Sequence, residues 1–130
     1  MIGVSPLLMV VDDDEDIRDV LKIVLEIDGY RVATATDGLD AWEQLHSSEP
    51  PSLILLDLMM PRMDGERFIK TLRESPFAEI PVVIISGHKE ASDKAKELDG
   101  DYCLMKPVEL DELMAVVHRF AKKEPKQSIA

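Results

Sequence analysis

The chain has 130 residues and a formal net charge of −11, with 45% hydrophobic and 32% charged residues. This length is enough for one domain with a buried core, and the acidic charge argues against direct binding to nucleic acids or other polyphosphates. No stretch approaches the roughly 20 apolar residues that a membrane-spanning helix needs. Because Cys103 is the one cysteine and residues 1–8 contain no Lys or Arg, we expect a cytoplasmic protein without a disulfide or a secretory leader.

The first half of the chain alternates short apolar runs with amphipathic stretches. The run Leu7–Val11 predicts a strand that is buried on both faces. Asp14 is the expected N-cap of a helix that ends near Gly29. The apolar stripe of this helix consists of Ile17, Val20, Leu21, Val24 and Leu25. Residues 30–35 predict a second strand, because β-branched side chains are frequent there. A second helix follows, and its inward side chains are Leu39, Trp42 and Leu45.

The second half continues the same alternation. Residues 53–56 predict a third buried strand that ends on Asp57, and residues 81–85 predict a fourth. The helix between them carries Phe68, Ile69 and Leu72 inward. A short polar helix is predicted over residues 90–98, and a fifth strand over Tyr102–Met105. The last helix places Leu110, Leu113, Met114 and Val117 on one face. The polar tail, residues 122–130, is expected to fray.

Five strands that alternate with five helices predict a parallel sheet with helices on both of its faces. In such an α/β domain, ligands bind at the carboxyl ends of the strands, near a switch in strand order. The predicted strand ends carry polar side chains, namely Asp12, Asp13, Asp57, Ser86 and Lys106. Three carboxylates, a hydroxyl and an ammonium are therefore expected at one edge of the sheet.

Crowding three carboxylates is unfavourable unless a cation neutralises them. Oxygen ligands suit Mg²⁺, or Mn²⁺ in its place, and no His or Cys that would indicate zinc lies at a predicted strand end. An ion held by Asp13 and Asp57 would keep coordination positions for phosphoryl oxygens, and Lys106 and Ser86 would bind the remaining oxygens. Asp57 is then the candidate nucleophile that forms an aspartyl-phosphate.

Four segments carry a family resemblance: residues 10–16, 55–65, 81–87 and 105–107. With these motifs in this order, residues 7–121 resemble the receiver domain of two-component response regulators. The resemblance implies a flavodoxin-like doubly wound (βα)5 fold with strand order 2-1-3-4-5. It also implies that residues 1–130 form a single receiver domain, with its core at about residues 7–121.

The resemblance assigns a role to each metal-site residue. Asp57 accepts a phosphoryl group from a histidine kinase or a histidine phosphotransfer protein, or from a small donor such as acetyl phosphate. Asp13 and Asp57 bind Mg²⁺ directly, the backbone carbonyl of Met59 is a further ligand, and Asp12 acts mainly through water. By this resemblance the chain catalyses only its own phosphorylation and dephosphorylation.

The resemblance also implies how the phosphoryl group is recognised and read. Ser86 and Lys106 contact it, and Gly87 stays small to leave room for it. The hydroxyl residue then moves toward the phosphate, and an aromatic residue of the fifth strand, the switch aromatic, follows it inward. This change reshapes the face formed by the fourth helix, the fifth strand and the fifth helix. A downstream protein partner, an effector domain elsewhere in a longer protein, or a second copy in a homodimer would bind this face.

Two features depart from the family pattern. The switch aromatic is expected three residues before the strand-five lysine, where this chain has Cys103, and Tyr102 lies one position earlier. Either a bulge brings Tyr102 to the switch face, or the aromatic switch is absent. Met59 and His88 occupy the positions at which the family tunes phosphate lifetime. His88 is either a solvated loop residue or a group that influences the attacking water.

Two other functions compete with the signalling receiver. A Mg²⁺-dependent phosphohydrolase would also form an aspartyl-phosphate, but it needs an acid/base carboxylate where this chain has Met59, and a substrate cap. A degenerate receiver would act as a constitutive binding module, against which the complete set of strand-end residues argues. The sequence leaves open whether the chain acts alone or belongs to a larger regulator or hybrid kinase.

Overall fold

The computed structural model describes residues 5–58, 64–87 and 100–121. Within these ranges the strands are β1 (Leu7–Val11), β2 (Arg31–Ala35), β3 (Leu53–Asp57), β4 (Val82–Ser86) and β5 (Tyr102–Met105). The helices are α1 (Glu15–Ile27), α2 (Gly38–Ser47), α3 (Gly65–Arg73) and α4 (Leu110–Ala121). The helix expected over residues 90–98 and the tail 122–130 lie outside the described residues. No helix in the described ranges has the length and apolar character that crossing a bilayer requires.

The five strands form one parallel sheet in the order β2-β1-β3-β4-β5, which confirms the predicted doubly wound architecture. Alternate residues of each strand point to opposite faces, so the sheet divides the core into two clusters. Leu8 and Val10 pack with α1 and α4, whereas Met9 and Val11 pack with α2 and α3. Because both faces are covered, the central strands are apolar along nearly their whole length.

Helix α1 begins and ends as the sequence predicts. The Asp14 carboxylate accepts hydrogen bonds from the backbone N–H groups of Asp16, at 2.9 Å, and Ile17, at 3.4 Å. These bonds satisfy donors that have no partner within the first turn of a helix. After the helix, Gly29 adopts a φ of 97°, a left-handed conformation that glycine reaches without steric strain. The chain then turns directly into β2.

Two side chains assigned to apolar faces are in fact exposed, so that part of the prediction is wrong. Val20 of α1 is 58% exposed, because the helix packs through Leu21 and Leu25, and Val20 lies about 100° around the axis from Leu21. Leu110 is 54% exposed, because it is the first residue of α4, and the first buried residue, Leu113, follows one turn later. The remaining apolar residues of both stripes are buried or half-buried.

Arg73 joins the end of α3 to the loop that leads into β4. Its Nη1 donates to the carbonyl oxygens of Ala78, at 2.8 Å, and Ile80, at 2.7 Å. Its Nη2 donates to Asp101 Oδ2 at 2.9 Å, and the same oxygen accepts from the Val82 N–H at 2.7 Å. These contacts lie at the amino ends of β4 and β5, the edge opposite to the polar strand ends.

Candidate metal and phosphoacceptor site

The register of the two central strands brings Asp12 beside Asp57. The β1–β3 ladder pairs Val11 with Leu56, so the residue after each of them comes next at the carboxyl edge of the sheet. Asp57 is the last residue of β3, as the sequence predicts, and it pairs with Ile85 of β4. Asp12 is 3% exposed and Asp57 is 6% exposed. Two carboxylates are therefore buried side by side.

Lys106 reaches both of these carboxylates. The β4–β5 ladder pairs Ser86 with Met105, and the Lys106 N–H donates to the Ser86 carbonyl oxygen at 2.9 Å. From this strand end, the Lys106 Nζ lies 3.7 Å from Asp12 Oδ2 and 3.8 Å from Asp57 Oδ2. Ser86 is buried at the end of the neighbouring strand. The Ser86 hydroxyl, the Lys106 ammonium and the two carboxylates therefore lie at the carboxyl edge of the sheet, as expected from the predicted strand ends.

Three carboxylates at this edge fit a divalent cation. Asp12, Asp13 and Asp57 each offer one oxygen, and these oxygens all lie within 4.8 Å of one another. Asp13 is exposed, so it faces solvent at the mouth of the site. An all-oxygen set with few protein ligands suits Mg²⁺, which keeps several of its waters. When bound, Mg²⁺ supplies positive charge that neutralises the carboxylates and polarises a phosphoryl oxygen.

The electrostatics of Asp12 support the same assignment. Burial raises the pKa of Asp12 above its ordinary value, while the Asp14 N–H and the Lys106 ammonium act in the opposite direction. The neighbouring charges of Asp13 and Asp14 raise the pKa of Asp12 further. The Asp14 N–H donates to Asp12 Oδ1 at 2.9 Å. The net direction means that the protein alone does not fully compensate the buried charge, and a bound cation would.

Two residues that shape the site were assigned no role from the sequence. The Arg18 Nη1 donates to the backbone carbonyl oxygen of Asp12 at 2.8 Å. A Cβ added to Gly65 would lie 2.6 Å from Leu58 Cα and 2.7 Å from the Asp57 carbonyl oxygen, so a side chain there forces the backbone to move. An Asp-Gly pair is typical of a turn, but the close approach of Gly65 to β3 is a tertiary feature. Nothing in the local pattern around Arg18 signals its contact.

The remaining predicted site residues fall into two groups. A Cβ at Gly87 would meet its nearest neighbour, Lys106 Cβ, at an ordinary contact distance of 3.9 Å, so the need for a small residue stays a prediction about the phosphoryl group. The carbonyl of Met59 and the side chain of His88 lie outside the described residues. Their expected roles in metal binding and in phosphate lifetime therefore stay predictions.

The two switch candidates lie on opposite faces of the sheet. The β4–β5 register runs without interruption from Val83 paired with Tyr102 to Ser86 paired with Met105. Tyr102 is on the α4 side, where its ring centroid lies 6.2 Å from that of Phe120. Cys103 is half-buried on the other side, against the α2–α3 cluster, and burial raises the pKa of its thiol. Which residue acts in switching remains a prediction.

Comparison with known proteins identifies the family. The sequence model described as "Response regulator receiver domain" matches residues 8–118. The CpxR homologue of Haemophilus influenzae, a transcriptional regulatory protein, is 34% identical over 93% of this chain and 52% of its own length. The response regulator MprA of Mycobacterium ulcerans is 38% identical over 83% of this chain and 47% of its own length. The chain spans about half the length of these relatives.

The fold agrees with this assignment. The crystal structure of a response regulator receiver protein from Pseudomonas putida superposes with a TM-score of 0.84 and 29% identity, covering 91% of this chain and 99% of that one. A five-stranded parallel sheet in this order, with three carboxylates at its carboxyl edge, is the arrangement expected of the receiver domain of a two-component response regulator. The chain belongs to the response regulator receiver domain family.

Proposed function

We propose that Asp57 is the phosphoacceptor of a single receiver domain, and that Asp12, Asp13 and Asp57 hold Mg²⁺ beside it. One observation carries this proposal: three carboxylate oxygens lie within 4.8 Å of one another, and one ammonium lies within 4 Å of two of those carboxylates. A packed core has no use for such an arrangement at a sheet edge. The Met59 carbonyl would complete the protein's share of the coordination.

The reaction is a phosphoryl transfer that needs positioning more than covalent chemistry. A carboxylate oxygen of Asp57 attacks phosphorus as the bond from phosphorus to the donor histidine nitrogen breaks, and the imidazole leaves with the electron pair. The Lys106 ammonium and the Ser86 hydroxyl would receive the phosphoryl oxygens. On this proposal the chain catalyses only its own phosphorylation and its dephosphorylation, in which water attacks the aspartyl-phosphate and the Asp57 carboxylate and inorganic phosphate are released.

The phosphodonor is proposed to be a histidine kinase or a histidine phosphotransfer protein that docks beside the site. A groove of about 360 Å³ opens between α1 and the segment after β5. Its lining residues are Asp16, Ile17, Val20, Leu21, Lys106, Pro107 and Val108. The apolar side chain of Val20 is exposed to water in the isolated chain, and a partner that covered it would gain the favourable free energy of burying apolar surface. The groove includes Lys106, so a partner seated there would reach the mouth of the site.

Intact mass measurement tests the phosphoacceptor. Incubation with acetyl phosphate and Mg²⁺ should add one phosphate to the wild type and none to an Asp57→Asn variant. Asp37 offers a matched control, because it is also a buried aspartate and caps α2 through a hydrogen bond from the Asp40 N–H at 2.9 Å. Asp37→Asn should still gain a phosphate. Phosphorylation of the Asp57→Asn variant at another carboxylate would overturn the assignment.

Comparing acetyl phosphate with a partner kinase separates docking from phosphoryl transfer, because only the kinase has to dock. A Val20→Asp variant should be phosphorylated by acetyl phosphate at the wild-type rate and by a partner kinase at least about tenfold more slowly, because a buried unpaired charge weakens the contact. Ile27 supplies the control, since it is exposed on the same helix and does not line the groove. Equal rates for Val20→Asp and Ile27→Asp with the kinase would contradict docking at the groove.

Phosphorylation is proposed to act through a change in the face that the sequence assigns to the fourth helix, the fifth strand and the fifth helix. The fifth strand and fifth helix of that face are β5 and α4, and the predicted fourth helix, residues 90–98, lies outside the described residues. Tyr102 and Met105, the first and last residues of β5, are both exposed, and the Tyr102 ring lies beside Phe120 of α4. A downstream protein, an effector domain in a longer protein, or a second copy would bind this face. Family membership and the complete strand-end set favour neither the phosphohydrolase nor the degenerate binding module.

A further inference from the structure

The peptide unit between the first two aspartates of the site is held by a side chain from α1. The Arg18 Nη1 donates to the Asp12 carbonyl oxygen at 2.8 Å, and Arg18 is half-buried. Asp12 also donates its own N–H to the Ala35 carbonyl oxygen of β2 at 3.2 Å. The backbone of Asp12 is therefore fixed from β2 on one side and from α1 on the other.

The side chain of Asp12 is held as closely as its backbone. Oδ1 accepts the Asp14 N–H at 2.9 Å, and Oδ2 lies 3.7 Å from the Lys106 Nζ. Asp13 is different, because its side chain is exposed and its direction follows from the backbone that precedes it. A peptide unit is planar, so the orientation of the Asp12 carbonyl sets the direction in which the chain continues to Asp13.

We infer that Arg18 is a positioning residue for the metal site: by holding the Asp12 carbonyl it sets where the Asp13 carboxylate lies relative to Asp12 and Asp57. This inference rests on the metal site proposed above and adds a residue to it. Groups that orient metal ligands from behind commonly change metal affinity by about 10- to 100-fold when they are removed. Arg18 would act in this way through the Asp12 backbone carbonyl, the group to which its Nη1 donates.

Arg18 has two opposite effects on the affinity of the site for a cation. Its positive charge repels Mg²⁺, so loss of the charge alone would tighten binding. Its hydrogen bond orders the ligands, so loss of the bond alone would weaken binding. A residue that serves only the stability of α1 would change the melting temperature and leave the affinity of the folded protein unchanged.

The test is the Mg²⁺ affinity of the full chain, measured by calorimetric titration well below the melting temperature. Arg18→Met keeps the aliphatic stem and removes both charge and donor, and we expect about tenfold weaker binding. Arg18→Lys keeps the charge and one donor group, so its affinity should lie between those of Arg18→Met and the wild type. The amide resonance of Asp13 should shift in the Met variant before any metal is added.

Arg73→Met is the matched control. Arg73 also donates to backbone carbonyl oxygens, and its loss also removes one positive charge, but its partners are Ala78, Ile80 and Asp101, far along the strands from the site. It should lower the melting temperature and leave the Mg²⁺ affinity within twofold of wild type, which would support the inference when Arg18→Met is weakened.

The outcomes separate the two proposals. Wild-type or tighter affinity in Arg18→Met would overturn the positioning role and leave the metal site intact. A similar loss of affinity in Arg73→Met would also overturn it, since the effect would then be one of general stability. Failure of the wild type to bind Mg²⁺ at millimolar concentration would overturn the metal site itself, and the role of Arg18 with it.

Discussion

Replacing Lys106 by methionine removes an ammonium that lies close to two buried carboxylates, while most of the length of the side chain is kept. At an effective dielectric constant of about 20, a unit charge 3.7 Å from another contributes about 4 to 5 kcal/mol. Because 30% of the Lys106 side chain is exposed, solvent screening reduces each of the two contributions to about 2 kcal/mol. We expect the metal-free variant to lose about 2 to 4 kcal/mol of unfolding free energy.

The same substitution should tighten Mg²⁺ binding. Lys106 competes with the ion for the oxygens of Asp12 and Asp57, so its removal leaves a more negative site. A tenfold gain in affinity would return about 1.4 kcal/mol of stability at saturating Mg²⁺, because the ligand stabilises the folded state in proportion to the logarithm of its affinity. The stability deficit of the variant should therefore shrink when Mg²⁺ is added.

Urea unfolding followed by circular dichroism, with MgCl₂ or with KCl at equal ionic strength, measures both effects. Urea is preferred because it does not screen charges. Lys106→Arg is the control, since it keeps the positive charge and should resemble the wild type. If Lys106→Met binds Mg²⁺ more weakly than the wild type, or if its stability deficit is the same with and without Mg²⁺, the ammonium does not neutralise this carboxylate pair and the electrostatic account is wrong.

Two further predictions concern backbone packing and pH. Gly65→Ala should lower the unfolding free energy by about 1 to 3 kcal/mol and slow phosphorylation by acetyl phosphate, because its Cβ would lie 2.7 Å from the Asp57 carbonyl oxygen. Gly87→Ala is the control, because its Cβ fits and the variant should unfold like the wild type. Equal stability of the two variants would contradict the predicted clash at Gly65. Burial, helped by the Asp28 charge, raises the pKa of Tyr30 from 10.0 to about 12. As the pH rises from 10 to 12, Tyr30 therefore ionises in the unfolded chain before it does in the folded one. Over that range the unfolding free energy of the wild type should fall by about 2 to 3 kcal/mol relative to that of Tyr30→Phe. Parallel pH profiles of stability for the two proteins would contradict this prediction.

Much of the fold follows from local patterns along the chain. The runs Leu7–Val11 and Tyr102–Met105 have the strand boundaries that their apolar patterns predict. The Asp14 cap and the Gly29 turn delimit α1, because each has a local backbone requirement that few other residue types satisfy. Continuous apolar runs indicated a sheet covered on both faces, and the sheet is indeed buried on both.

The exposed apolar residues mark the limit of such patterns. Val20 falls at helical spacing within an apolar stripe, yet it is 58% exposed and lines the groove. A periodic pattern gives the direction of the apolar face of a helix, but the width of the contact depends on the sheet that the helix meets. An exposed residue at the border of that face therefore has the same local pattern as a core residue.

The sequence by itself determined which side chains stand at the strand ends: two aspartates after β1, Asp57 at the end of β3, Ser86 at the end of β4 and Lys106 after β5. Only the tertiary structure decided that they meet. The pairing of Val11 with Leu56 brings Asp12 beside Asp57, and Arg18 reaches back from α1 to the carbonyl between the first two aspartates. The physical reason is that strand register and helix docking minimise the energy of the whole core, whereas sequence patterns record only the preferences of neighbouring residues.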